Sequence, residues 1–212
     1  MPPLLRFDDI DGDNKIYYID TCVLYAAFSA SQNETYRSEV NNALQAIIKN
    51  QSFVVTSALT FDELCSVIRR ALINDARNQH AIPKHKKDKE VLRQYPYILQ
   101  HVSGEVARIR KLFQTSLPSM ICDYTNNTEF QTATEDFSAK HNVDIYDAKH
   151  LVITKSNGVD HFITTDSDFA YVSDKNMNIY LPIDLYNRNY TVVNPGVTTP
   201  IPTVNTGDDK GA

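Results

Sequence analysis

Short apolar strand segments alternate with amphipathic helical segments along most of this chain, and this alternation constrains its fold more than any other feature. Residues 15–20 (KIYYID) are rich in β-branched and aromatic side chains, and residues 35–49 then carry apolar side chains at helical spacing. The predicted strands are 15–20, 53–56, 120–124, 161–165 and 178–181, and the predicted helices are 35–49, 59–72, 89–114, 129–141 and 144–156. This order predicts a three-layer α/β/α domain with a mostly parallel central sheet.

The 212 residues are enough for one domain with a full core. We expect that domain to cover residues 15–190, with a basic helical insertion at about 78–127. Residues 1–14 are predicted to be a loose leader. Residues 191–212 contain three prolines and no helical period, which predicts an extended or disordered tail.

The composition favours a protein of the cytoplasm over a membrane or secreted protein. No run reaches the ~18 apolar residues of a spanning helix. The first residues turn acidic and lack the order of a signal peptide. The three cysteines form no CxxC pair, which argues against a disulfide scaffold or a zinc ribbon.

Four acidic residues stand where a strand has just ended or a helix begins: Asp20, Glu63, Asp147 and Asp166. Because the carboxyl ends of parallel strands meet at one edge of the sheet, these carboxylates are expected to converge there. Converging carboxylates repel each other unless a cation compensates, and oxygen ligands without His or Cys favour Mg²⁺ or Mn²⁺. A cation held in this way usually acts on phosphate esters.

Helix capping is the alternative interpretation of the same acids. Thr60 and Glu63 match a capping box, and Asp144 is typical of an N-cap ahead of a favourable first-turn Asp147. Asp168 could likewise cap a short helix. From the residues alone, an unrelated α/β domain whose acids are only caps therefore stays open beside the metal site.

Four segments in order resemble the PIN domain family. They correspond to a strand ending in Asp-Thr, an S-x-x-T-x-x-E-L helix start, a D-A helix start and a T-x-D-x-D-F strand end. The segments are IDTCVLYAAF, TSALTFDELCSVIRRAL, YDAKHLVITKSNGVDHFITTDSDF and NIYLP. The resemblance runs from about residue 15 to 182, with a poor match between about 78 and 127.

The resemblance implies a set of metal-binding and catalytic residues. Asp20, Glu63, Asp147 and Asp166 match the acids that hold one or two divalent cations in the family. Asp168 matches an often acidic position for a second metal or its waters.

Hydroxyl groups near the site follow from the same resemblance. Thr21 matches the residue after the first Asp, and Thr164 matches the small hydroxyl residue near the site. Cys22 departs from the family pattern, and we expect its thiol to serve packing. His150, three residues after Asp147, is one helical turn from the site; it could orient a ligand, but the favoured prediction is a solvated helix residue.

The implied activity is that of an endoribonuclease dependent on Mg²⁺ or Mn²⁺, hydrolysing RNA phosphodiester bonds. Family members of this size are often toxins, so the implied partners are RNA, an antitoxin protein and a second copy of the chain in a homodimer. The alternative within the family is a catalytically inactive PIN module that binds RNA or a protein partner.

A basic segment is the predicted RNA-binding surface. Residues 69–93 carry a net charge of +5, whereas the remainder of the chain carries −10. Arg69, Arg70 and a basic loop (Lys84, Lys86 and Lys87) are the expected phosphate contacts, because an acidic body repels a polyanion. Tyr95 and Tyr97 follow this segment and could stack on bases.

Overall fold

A six-stranded parallel sheet forms the centre of the protein in a computed structural model that describes residues 4–30, 35–172 and 174–193. The strands are β1 (Leu4–Arg6), β2 (Ile16–Ile19), β3 (Phe53–Ser57), β4 (Ser119–Cys122), β5 (His161–Ile163) and β6 (Asn178–Leu181). They lie in the order β1-β6-β5-β2-β3-β4, and all five pairings are parallel. The predicted parallel α/β sheet is confirmed.

Helices cover both faces of the sheet. They are α1 (Thr21–Phe28), α2 (Arg37–Lys49), α3 (Ala58–Gln79), α4 (Asp88–Gln94), α5 (Tyr97–Ser116), α6 (Thr128–His141), α7 (Ile145–Ser156) and α8 (Ile183–Val193). Tyr17 and Ile19 of β2 enter the core formed with α1 to α5, whereas Tyr18 enters the core formed with α6 to α8. This division follows from the alternation of side chains along a strand, and it produces the predicted three layers.

The order of the strands places a crevice beside β2. From β2 the chain continues to β3 and β4 on one side, whereas β5 and β6 lie on the other side. In open parallel sheets, ligands bind at the carboxyl ends of strands where the order reverses in this way. The carboxyl ends of β2 and β5 are therefore the natural borders of a site.

The expectation of a loose leader at residues 1–14 is wrong for the part of it that the structure describes. β1 pairs with β6 as an edge strand, and a short 3-10 helix follows at Phe7–Asp9. Phe7 and Ile10 are buried in the core. Apolar side chains at every third position (Leu4, Phe7 and Ile10) were the signal in the sequence for this packing.

The predicted insertion at about 78–127 contributes to the core. Its expected single helix is two helices, α4 and α5, because Pro96 interrupts the backbone hydrogen bonding between them. α5 packs against α3 and α1, and it buries Ile98, Ile109 and Phe113. β4 then completes one edge of the sheet.

Helix α8 was not predicted, and it crosses the expected end of the domain at residue 190. Its Leu185 is buried beside the 3-10 helix Ser167–Tyr171. The remainder of the predicted tail, from residue 194 onward, lies outside the described residues. Within the described residues, no helix has the length and apolarity to cross a membrane.

Candidate active site

A cavity of about 390 Å³ lies at the carboxyl edge of the sheet, beside the ends of β2 and β5. Four acids that the sequence predicted to converge line this carboxylate cavity: Asp20, Glu63, Asp147 and Asp166. Thr21, Cys22 and His150 also line it. The tertiary structure therefore brings together side chains that follow β2 and β5 with side chains from α3 and α7.

Asp20 follows β2 directly and caps the N-terminus of α1. Its Oδ1 accepts a hydrogen bond from the backbone N–H of Val23 at 3.1 Å, and its Oδ2 accepts one from the Thr164 hydroxyl at 2.6 Å. The residue is buried. Burial raises the pKa of Asp20, whereas the hydrogen bonds from Cys22 and Thr164 oppose that rise.

Cys22 is a hydrogen-bonding partner of Asp20. Its Sγ lies 2.9 Å from Oδ1 of Asp20, and it also accepts from the backbone N–H of Thr165 at 3.1 Å. Burial and the Asp20 charge raise the pKa of the Cys22 thiol well above its ordinary value. The thiol therefore keeps its proton and donates a hydrogen bond to the carboxylate, a contact that the sequence did not reveal.

Glu63 lies in the second turn of α3, so the predicted Thr60–Glu63 capping box is not formed. The helix begins at Ala58 with Ser57 as its N-cap residue. Oε2 of Glu63 accepts hydrogen bonds from the Thr21 hydroxyl at 2.6 Å and from Nε2 of His150 at 2.8 Å. Burial by itself raises the pKa of Glu63, but the contacts from His150 and Thr21 lower it more, so the net shift is downward.

His150 is buried, with 3% of its surface exposed, so the expectation of a solvated helix residue is wrong. Its Nε2 contacts Glu63, and its Nδ1 lies 2.8 Å from the hydroxyl of Tyr18. One signal for this placement was present in the sequence: residues three apart share a helix face, and His150 follows Asp147 by three. The involvement of Tyr18 depends on the pairing of β2 with its neighbours.

Asp147 stands in the first turn of α7, half-buried at the cavity. Burial, and then the neighbouring charges of Asp166 and Asp144, raise the pKa of Asp147 to about 7. Asp144 caps α7, because its Oδ1 accepts from the backbone N–H of Tyr146 at 2.8 Å. The predicted cap is thus confirmed, and Asp144 is not among the residues that line the cavity.

Asp166 caps the 3-10 helix that follows β5. Its Oδ1 accepts from the backbone N–H of Asp168 at 2.9 Å, and its own N–H donates to the Thr164 hydroxyl at 2.9 Å. Asp166, not Asp168, is therefore the cap. The side chain of Asp168 is exposed and does not line the cavity, so its role as a metal ligand stays a prediction.

The donor set at the cavity fits a hard divalent cation. Four carboxylates line it, its one thiol is a protonated donor to Asp20, and both nitrogens of His150 are engaged by Glu63 and Tyr18. Burial raises the pKa of Asp147 most, and a cation would relieve the further rise that comes from the charges of Asp166 and Asp144. Among the described residues, no group of three His, Cys, Asp or Glu side chains already has the geometry of a metal site.

The basic residues predicted to hold RNA lie along and beyond α3. Arg70 is exposed, and seven residues after Glu63 it returns to the same side of the helix, whereas Arg69 is rotated by about 100° from it. The basic loop follows Gln79, which is about 24 Å along α3 from Glu63. An RNA contacting both the cavity and the basic loop must therefore span several nucleotides.

A model of the PIN domain family matches residues 17–175, which is about three quarters of the chain and includes all four acids of the cavity. A similar solved structure is VapBC2 from Rickettsia felis, bound to a DNA fragment from their promoter. It is 11% identical, with a TM-score of 0.47, and the alignment covers 78% of this chain and 98% of that chain. No curated protein sequence matches significantly. The family match rules out an unrelated α/β domain, and this chain belongs to the PIN domain family.

Proposed function

We propose that this protein is a metal-dependent endoribonuclease whose active site is the carboxylate cavity. The observation that carries the proposal is the convergence of Asp20, Glu63, Asp147 and Asp166 on one cavity at the carboxyl edge of the sheet. PIN domains are generally nucleases, and they typically use divalent metal ions. The retention of all four acids supports catalysis over an inactive binding module.

Mg²⁺ or Mn²⁺ is the proposed cofactor, held by the four acids, with Asp168 as the candidate for a second metal. A divalent cation supplies an activated water and neutralises charge on the phosphate. The protein's own residues hold the ligands: Thr164 and Cys22 donate hydrogen bonds to Asp20, and Thr21 donates one to Glu63.

Single-stranded RNA is the proposed substrate, because exposed rings lie beside the basic loop. His80 stacks on Tyr95 with ring centroids 4.6 Å apart, and Tyr97 packs edge-on against Tyr95. Tyr97 is 43% exposed. Aromatic faces of this kind can stack on unpaired bases while lysines contact phosphates.

The decisive assay compares cleavage of three labelled oligonucleotides of one sequence: single-stranded RNA, duplex RNA and single-stranded DNA. We expect internal cleavage of single-stranded RNA in Mg²⁺ or Mn²⁺, and none in EDTA or with Asp147→Asn. RNA binding without cleavage in either metal would contradict the proposal and favour the inactive module.

The partners implied by the family resemblance are an antitoxin protein and a second copy of the chain. Light scattering of the purified protein tests the homodimer. Co-expression with the product of an adjacent small gene, followed by the cleavage assay, tests the antitoxin and the toxin role. An antitoxin is expected to co-purify and to suppress cleavage.

A further inference from the structure

A buried chain of hydrogen bonds connects the sheet to the carboxylate cavity. The hydroxyl of Tyr18 lies 2.8 Å from Nδ1 of His150 and 2.8 Å from Oγ of Ser57. Nε2 of His150 continues the chain to Oε2 of Glu63 at 2.8 Å. Tyr18 is fully buried, and its ring stacks on Phe162, with centroids 5.3 Å apart. The imidazole is therefore held at both of its nitrogens.

The direction of these hydrogen bonds follows from the chemistry of the groups. An ionised carboxylate only accepts, so Nε2 carries the proton in the contact with Glu63. In the neutral ring Nδ1 then accepts from the Tyr18 hydroxyl, which burial keeps protonated by raising its pKa. Ser57 can donate to Tyr18 in turn. Each of these buried polar groups has a partner, as a fixed orientation requires.

Glu63 is held from two sides at the same oxygen. His150 donates from α7 and Thr21 donates from α1, both to Oε2. Among the described residues, no hydrogen bond engages Oε1 of Glu63. One carboxylate oxygen is therefore anchored, while the other is left for a ligand.

We propose that His150 is a positioning residue that, supported by Tyr18, anchors Glu63 so that its carboxylate meets the divalent cation in one orientation. This inference rests on the proposed function, because it assigns His150 a role through the metal ligand Glu63. Histidine and carboxylate partners behind metal ligands commonly change metal affinity or activity by about 10–100-fold when they are removed.

Two amide substitutions separate this role from simple core packing. In His150→Gln the amide nitrogen takes the place of Nε2 and can still donate to Glu63. In His150→Asn the amide takes the place of Nδ1, so it can reach Tyr18 but not Glu63. The two variants bury side chains of similar polarity, and they differ in which end of the hydrogen-bonded chain they preserve.

The test is Mn²⁺ affinity by calorimetry, together with the Mn²⁺ dependence, kcat and KM of RNA cleavage. We expect His150→Asn to weaken Mn²⁺ binding by about tenfold and to lower kcat, with KM for RNA little changed. His150→Gln is expected to restore most of the wild-type affinity and kcat. Tyr18→Phe, which keeps the stacked ring, is expected to lie between them.

The outcomes distinguish the two proposals. If wild-type protein binds no divalent cation and cleaves no RNA, the proposed function fails. If wild type binds and cleaves while His150→Asn and His150→Gln have the same Mn²⁺ affinity as each other, the positioning role is wrong. His141→Gln is a matched control, because His141 is also buried but does not line the cavity. It is expected to change stability without changing Mn²⁺ affinity.

Discussion

The thiol of Cys22 donates a hydrogen bond to the carboxylate of Asp20, with Sγ 2.9 Å from Oδ1. The sequence suggested only a packing role for this thiol. The contact is one of the hydrogen bonds that oppose the rise in the pKa of Asp20 caused by burial. A residue that departs from the family pattern thus takes part in the site.

Cys22→Ala should raise the pKa of Asp20 further and weaken the proposed metal site, because one donor is removed. The loss of this hydrogen bond is expected to weaken the free energy of Mn²⁺ binding by about 1 kcal/mol. It is measured as a several-fold increase in the Mn²⁺ concentration needed for half-maximal binding. Cys22→Ser keeps a donor and should stay closer to wild type. Equal Mn²⁺ affinity in wild type and Cys22→Ala would show that the thiol only packs.

Asp20→Asn, Asp147→Asn and Asp166→Asn should each abolish cleavage. Asp20 and Asp166 also act as N-caps, and Asn is an equally good cap, so these variants should keep their helices. The measurement is single-stranded RNA cleavage in Mn²⁺, with folding checked by circular dichroism. Asp144→Asn is the matched control, since Asp144 caps α7 outside the cavity lining and its variant should cleave normally. Retained cleavage in the first three variants would refute the metal site.

Asp147 makes stability depend on pH in metal-free buffer. Its pKa rises from the ordinary 3.8 to about 7 on folding, so the folded state binds more protons than the unfolded state between those values. The free energy of unfolding should fall as pH rises from about 4 to 7, and the destabilisation is complete above pH 7. Asp147→Asn should therefore be more stable than wild type by about 1–2 kcal/mol at pH 8, after discounting for solvent screening.

Urea unfolding in EDTA at pH 4, 6 and 8 measures this difference between wild type and Asp147→Asn. The gain should shrink toward zero as pH falls to 4, where the folded state holds the proton and the unfolded state is about half protonated. A gain of the same size at pH 4 and pH 8 would mean that the ionisation of Asp147 in the folded state is not its cause.

Neutralising the basic loop should weaken RNA binding without changing metal affinity. For Lys84→Gln, Lys86→Gln and Lys87→Gln combined, the salt slope of RNA binding should become shallower by up to about 0.7 for each phosphate of the single strand that the loop no longer neutralises. RNA affinity is measured across a salt series in Ca²⁺, which is used to suppress cutting. A control triple variant at Lys49, Lys140 and Lys175, which are exposed outside residues 69–93, removes the same charge elsewhere. Equal salt slopes of RNA binding in the two triple variants would show that the loop does not bind RNA.

Phe7→Ala should destabilise the domain by about 3–5 kcal/mol, because Phe7 is 4% exposed and belongs to the core. Chemical denaturation measures the change in the free energy of unfolding. Asp8→Ala, the exposed neighbour in the same 3-10 helix, should have little effect. A change below about 1 kcal/mol for Phe7→Ala would mean that the N-terminal segment is only loosely attached.

Local sequence patterns were sufficient to predict the helices and strands whose own residues carry a clear period or a clear end signal. The end of α7 is an example: the helix ends at Ser156, and the Asn-Gly pair that follows is a common helix stop, with Gly158 at φ +70°. The acids at strand ends could be assigned to one edge because a parallel sheet gathers them there. Helix α8 and edge strand β1 were missed, since their short patterns are stabilised by contacts far along the chain. The break at Pro96 was also missed, although a proline is a local signal for it.

The sequence by itself determined the layered fold, the family and the set of acids, because strand and helix periodicities and strand-end carboxylates are local properties. Only the tertiary structure decided which side chains surround those acids. The pairing of β2 with β3 and β5 and the packing of α7 bring Tyr18 and His150 together across 132 positions of sequence, and place His150 against Glu63. A hydrogen bond of 2.8 Å between residues so far apart depends on how the strands and helices pack, and no local pattern encodes it.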